Sequence, residues 1–134
     1  MDLPRIMLLD KLSCYHRVVE CQGQLVAFLL AFDSQQDYDS VNYRWFKQHC
    51  RDFMYIDRIV IGAEQQGKGL GKVFYQDLFD FAKTHSYKRI TCEFDILPPN
   101  VISARFHKGF GFYQVGTQVL STANKTVSLQ AADI

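Results

Sequence analysis

The stretch Gln65-Gln66-Gly67-Lys68-Gly69-Leu70-Gly71-Lys72 constrains this chain more than any other. It follows a β-branched run, Ile59-Val60-Ile61, and leads into the best helical pattern, in which Leu70, Val73, Phe74, Leu78, Phe81 and Ala82 form one apolar stripe. A strand that enters a helix through alternate glycines leaves several backbone N–H groups facing outward at the helix N-terminus. The helix dipole adds about half a positive charge there, so the turn attracts phosphate. Glycine suits it because a β-carbon would hold a phosphate off the backbone, and because tight turns often require positive φ.

Three motif readings compete at this turn, beside a turn that binds nothing. A Walker A loop is G-x-x-x-x-G-K-[ST]; Gly62 to Lys68 meets its first seven positions, but Gly69 stands where the Mg²⁺-binding hydroxyl belongs. A dinucleotide fingerprint is G-x-G-x-x-G; here the third glycine arrives one residue early and Lys72 takes its place. An acyl-CoA turn, Q/R-x-x-G-x-G/A, is matched by Gln66-Gly67-Lys68-Gly69-Leu70-Gly71.

Around the turn, the pattern predicts strands over 15–20, 25–32, 53–61, 89–96, 112–120 and 126–129, and helices over 41–50, 70–85 and 101–108. Cys21-Gln22-Gly23-Gln24 suits a hairpin turn, Pro98-Pro99 ends the 89–96 strand, and Asn100 is a good N-cap. Strand, helix and strand in the middle imply a right-handed parallel crossover, and the hairpins imply antiparallel edges. The expected fold is α/β: a mixed sheet with helices on both faces. No repeat or Pro/Gly/Ser-rich linker divides the 134 residues, so 1–134 reads as one domain.

Composition excludes several function classes. Fifteen Lys+Arg against fourteen Asp+Glu provide no basic field for a nucleic-acid backbone. The longest apolar run, Leu25 to Phe32, is too short to span a bilayer. Cys14, Cys21, Cys50 and Cys92 form no C-x-x-C pair, and neither they nor His16, His49 and His85 have metal-site spacing, so no metal is expected. Reduced thiols and the lack of a signal-like N-terminus point to a cytoplasmic protein.

The sequence resembles the GNAT superfamily, the acyl-CoA-dependent N-acyltransferases. Beyond the turn, that family carries a second helix reading N-x-x-A/S-x-x-F/L-Y-x-x-x-G-F, and Asn100, Ser103, Phe106, His107, Gly111 and Phe112 fall on this frame. The match runs from Tyr15 to Leu129 and is densest from Phe53 to Phe112. There are two departures. The stretch before the first hairpin is shorter than in the family, implying a shortened N-terminus, and His107 stands where tyrosine is usual. The resemblance implies an acyl-CoA N-acyltransferase-like twisted sheet with an N-terminal hairpin and C-terminal antiparallel strands.

It also implies transfer of an acetyl group from acetyl-CoA, the co-substrate, to a primary amine of a small molecule, an amino acid or a peptide or protein N-terminus. The alternative is a non-catalytic acyl-CoA-binding module. In this scheme Ile59, Val60 and Ile61 pair with the pantetheine through a free strand edge, and Gln66, Gly67, Lys68, Gly69, Leu70, Gly71 and Lys72 hold the pyrophosphate. Asn100 and Phe106 complete the cofactor-binding set. Asp57 occupies the position of the family's general base, unless it simply pairs with Arg58 or Arg51; Glu93 and Asp95 are the other carboxylates for that role. His107 would protonate the leaving thiol, unless it only packs, and a main-chain N–H near Ile61 would steady the oxyanion. Tyr38, Tyr43, Trp45 and Phe46 either line an acceptor pocket or fill the core. The uncharged segment Thr126 to Leu129 reads as an exposed edge that pairs two copies into a homodimer.

Overall fold

The computed structural model describes residues 13–97, 99–121 and 124–134; the shortened N-terminus inferred from the sequence lies outside them. Its elements run β1 (Tyr15–Cys21), β2 (Gln24–Asp33), α1 (Val41–His49), β3 (Phe53–Ile61), α2 (Leu70–Thr84), β4 (Arg89–Leu97), α3 (Val101–Gly109), β5 (Tyr113–Leu120) and β6 (Lys125–Asp133). The strands form one sheet in the order β1-β2-β3-β4-β6-β5. Among the described strands only β3 and β4 are parallel, joined by the α2 crossover. The mixed α/β architecture is the one expected.

Local chemistry sets the element boundaries. Gln22 and Gly23 both take positive φ, the conformation a tight hairpin turn demands. Ser40 caps α1 by accepting from the Tyr43 N–H, and Asn100 caps α3 by accepting from the Ser103 N–H at 3.1 Å. Side chains alternate across the sheet and build two cores. Leu29, Ala31, Met54, Ile56, Ile90 and Cys92 meet Phe74, Tyr75, Leu78 and Ala82 of α2 on one face. On the other, Leu30, Phe32, Phe53, Tyr55 and Leu129 meet Tyr43 and Phe46 of α1. Helices therefore cover both faces.

Three expectations are corrected, and one open alternative is decided. Val73 is 60% exposed, and Tyr75 takes its place in the buried stripe of α2, in register with Leu78 and Ala82. Ile96 leaves the β4 alternation because the register with β6 slips between Asp95 and Leu97. Tyr38, Tyr43 and Phe46 are core residues, and Trp45 lies against Gly116, so they do not wall an open pocket. Thr126 to Leu129 is no edge: β6 runs between β4 and β5, and Val127 to Ala132 are buried. The strand at that end of the sheet is β5, and the ground for pairing through 126–129 falls away.

Candidate active site

The parallel ladder between β3 and β4 is short. It pairs Phe53 with Arg89, Met54 with Ile90 and Tyr55 with Thr91, and then stops. A bulge helps to part the strands: Leu30 of β2 pairs with Arg58 and Ala31 with Ile56, leaving Asp57 as the extra residue on β3. Beyond Tyr55 the β3 edge facing β4 has no ladder partner among the described residues. A cavity of about 200 Å³ lies between the parted strands, and Asp57, Ile59, Tyr75, Glu93, Ser103 and His107 are among its lining residues. All four carboxylate and imidazole candidates, Asp57, Glu93, Asp95 and His107, thus border one space.

They reach it from opposite faces of the sheet. Glu93 points to the α1 side, where its Oε1 accepts from the Tyr55 hydroxyl at 2.6 Å and from Asn42 Nδ2 at 2.8 Å. Asn42 is oriented in turn by Gln118, whose Nε2 donates to Asn42 Oδ1 at 2.8 Å. Burial pushes the Glu93 carboxyl up from its ordinary 4.5 to about 7, against the opposing pull of the Tyr55 and Asn42 hydrogen bonds. A carboxyl poised there exchanges protons readily at neutral pH. Asp57 differs in having a cation beside it. Tyr38 donates to its Oδ1 at 2.6 Å and the Arg58 guanidinium pairs with its Oδ2 at 2.9 Å, whereas both Glu93 oxygens accept only from neutral groups. Its charge adds to the upward push on Glu93. Asp95 pairs with Lys125 at 3.6 Å.

His107 enters from the α2–α3 side and is 7% exposed. Its Nδ1 lies 2.7 Å from the Ser103 carbonyl oxygen and its Nε2 lies 2.8 Å from the Tyr75 hydroxyl. Burial lowers its pKa from 6.5, with the Ser103 carbonyl bond opposing. Cys92 is buried on the same side, and burial, with Glu93 nearby, pushes its thiol well up, which leaves it a core residue and no nucleophile.

The glycine turn sits at the open end of β3. Gly67 and Gly69 both have φ near +80, and a β-carbon at either would meet none of the described residues within 4 Å, so among these the backbone is bare on its outer side. The first intrahelical bond of α2 is Val73 N–H to Gly69 O, no side chain among the described residues caps the helix, and its first turn holds no acidic residue. Gln66 Nε2 folds back onto the Ile61 carbonyl at 3.1 Å and braces the turn against β3. Lys68 and Lys72 are exposed; Ile61 and Leu70 pack against the core, while Val60 is 45% exposed on the opposite side of β3. Phe106 packs behind the turn: a β-carbon at Gly71 would come 3.4 Å from its ring. Asn100 acts as a cap and does not line the cavity. Among the described residues, no three His, Cys, Asp or Glu side chains gather as metal ligands, and no helix is long and apolar enough to cross a membrane.

Sequence reasoning missed Tyr55, Asn42 and Tyr75. Tyr75 was within reach, since Gly71, Tyr75, Leu78 and Ala82 follow helical spacing on one face. Asn42 and Tyr55 carry no local signal, because their partner Glu93 is 51 and 38 residues away.

Solved structures share this architecture. IAA acetyltransferase from Bacillus cereus is 13% identical, covers 99% of this chain and 85% of its own, and superposes with a TM-score of 0.74. A GNAT family acetyltransferase from Elizabethkingia anophelis with acetyl-CoA bound is 11% identical, with coverage of 99% and 84% and a TM-score of 0.72. The ribosomal-protein-S18-alanine N-acetyltransferase from Escherichia coli is 14% identical, with coverage of 99% and 88% and a TM-score of 0.67. At such identities the likeness is one of fold. A search of curated protein sequences gave no significant match. The model of the acetyltransferase (GNAT) family matches residues 3–112, most of the sequence, and the chain therefore belongs to the GNAT acetyltransferases.

Proposed function

We propose that this acetyltransferase moves an acetyl group from acetyl-CoA to a primary amine of a small molecule, an amino acid or a peptide or protein N-terminus, by direct attack in a ternary complex. The observation that carries this reading is the cleft: a near-neutral carboxyl from one sheet face and an imidazole from the other line one cavity where β3 and β4 part. The residues also fit acetyl-CoA. Bare glycines and the uncapped N-terminus of α2 suit a pyrophosphate, which Gln66, Gly67, Lys68, Gly69, Leu70, Gly71 and Lys72 would hold. The free β3 edge at Ile59, Val60 and Ile61 suits the pantetheine amides, which would pair with it as another strand does. Phe106 and Asn100 support that site by packing behind Gly71 and by capping α3.

Acetyl-CoA supplies the activated acyl carbon. The chain moves the protons. Glu93 is the base, because its carboxyl titrates near neutral pH while an acceptor amine holds its proton to about 10.4. Asp57, engaged by Tyr38 and Arg58, ties the loop after β2 to β3 and tunes Glu93 by its charge. His107 takes up a proton at Nε2 and gives it to the thiolate as the C–S bond breaks, so that CoA leaves as the thiol. Its lowered pKa makes the imidazolium scarce at pH 7 but a ready donor to a thiolate of pKa about 8.5. A backbone N–H of the β3 edge near Ile61 steadies the acyl oxygen. Four unpaired thiols suit a reducing compartment, the cytoplasm.

The test is a panel of amines incubated with acetyl-CoA, read by released CoA thiol and by the mass of the acylated product. One class of amine should release thiol and gain an acetyl group. Saturable binding of acetyl-CoA without thiol release across the panel would refute transfer to these amines.

A further inference from the structure

We propose that Tyr75 is a positioning residue for His107: its buried hydroxyl holds the Nε2 atom unprotonated and fixes the ring beside the cavity that both residues line. This rests on the reading of His107 as the donor to the leaving thiol. The hydrogen-bond geometry leaves one assignment. A carbonyl oxygen only accepts, so the contact of 2.7 Å between His107 Nδ1 and the Ser103 carbonyl requires a hydrogen on Nδ1. In the neutral ring Nε2 then carries a lone pair, and the Tyr75 hydroxyl 2.8 Å away must be the donor. Tyr75 is 1% exposed, and a buried hydroxyl left without a partner would be costly.

Rings fix the plane that these two bonds orient. Phe94, Phe106 and Phe112 stand 5.3, 5.5 and 5.2 Å from the imidazole, centroid to centroid. Tyr75 itself lies between α2 and α3, 4.8 Å from the Phe106 ring. The polar groups facing His107 come from every side. Tyr75 is on α2, Ser103 on its own helix, Cys92, Glu93 and Asp95 on β4, and Asp57 and Arg58 on β3 across the cavity. Among them only Tyr75 and Ser103 hydrogen-bond to the ring within the described residues.

With Nδ1 committed to a carbonyl, Nε2 is the one ring atom at which a proton can be gained or lost. When it gains one, the Tyr75 hydroxyl must turn its own hydrogen away, so the existing bond favours the neutral ring. Burial acts in the same direction, lowering the His107 pKa and raising that of Tyr75 well above 10. Tyr75 thereby sets both where the exchanging atom stands and the pH at which it is loaded.

The experiment is ¹⁵N NMR of the His107 ring in the parent and in Tyr75→Phe, which keeps the ring of residue 75, together with single-turnover acetyl transfer over a range of pH. In the parent, Nδ1 should be protonated and Nε2 bare in the neutral form. In Tyr75→Phe, Nε2 should titrate at higher pH. The transfer rate should fall about two- to tenfold, the worth of one neutral hydrogen bond, its high-pH limb should move upward, and the KM for acetyl-CoA should hold. An Nε2-protonated neutral ring in the parent, or an unchanged titration and pH profile in Tyr75→Phe, overturns the proposal. So does a loss in Tyr75→Phe as deep as that of His107→Phe, since the phenol would then be the donor itself. If His107→Phe keeps nearly full rate, the thiol-protonating reading fails instead, while the ring titration still reports on the Tyr75 contact.

Discussion

Replacement of Glu93 by glutamine tests the cleft through two independent readouts. The native carboxyl titrates at about 7 instead of 4.5, so the folded protein binds this proton more tightly than the unfolded chain does. Its effect on stability is therefore most favourable below about pH 4.5 and is lost as pH rises through about 7. A tenfold change in proton affinity is worth about 1.4 kcal/mol, so the displacement amounts to roughly 3 kcal/mol. Because the carboxyl borders an open cavity, solvent reduces this, and 3 kcal/mol is an upper bound. Unfolding 134 residues releases on the order of 0.3 kcal/mol/K of entropy, so the ceiling corresponds to about 10 °C in Tm. Glutamine preserves an oxygen for Asn42 and Tyr55 but cannot ionise. The Tm of Glu93→Gln relative to the parent should rise by several degrees, and at most about 10 °C, from pH 4.5 to pH 8. Other titrating groups are common to both proteins and cancel. Calorimetry measures this difference. Turnover at pH 7.5 should fall about 10²- to 10⁴-fold, the usual worth of general base catalysis, and the limb near pH 7 should vanish from the rate profile. A Tm difference that is flat between pH 4.5 and 8 would refute the burial argument. Turnover within a few-fold of the parent would refute the base assignment.

Three other perturbations probe the remaining parts of the site. Acetyl-CoA should raise the parent's Tm by mass action, and Gly69→Asp, which sets a carboxylate at the uncapped start of α2, should abolish that rise; stabilisation by ATP with Mg²⁺ and none by acetyl-CoA would sink the pyrophosphate assignment. His107→Phe should lower single-turnover transfer by about 10²- to 10⁴-fold with acetyl-CoA affinity unchanged, and retention of rate from pH 6 to 9 would remove the general-acid role. Asn100→Ala should cost about 1 kcal/mol of stability in urea titration, as the loss of an N-cap does, while leaving the Kd for acetyl-CoA unchanged; a large loss of affinity would show direct contact.

The sequence by itself determined the features whose energetics are local. Helical spacing, the cap at Asn100, the turn at Gln22-Gly23 and the glycines before Leu70 depend on neighbouring φ values and on bonds within one helical turn. Both acyl-CoA motifs were legible for the same reason, since each lies on a single strand–helix or loop–helix junction. What tertiary structure decided is the chemistry of the cleft. Asp57 and Glu93 are equivalent in sequence as acids on adjacent strands; packing sets one against Tyr38 and the Arg58 guanidinium, and the other beside the neutral Tyr55 and Asn42. His107 meets Tyr75 across 32 residues, and β6 slips between β4 and β5 although its own sequence reads as an edge. Desolvation and strand neighbours are properties of what surrounds a residue, and for these residues the surroundings come from distant parts of the chain, so no local pattern records them.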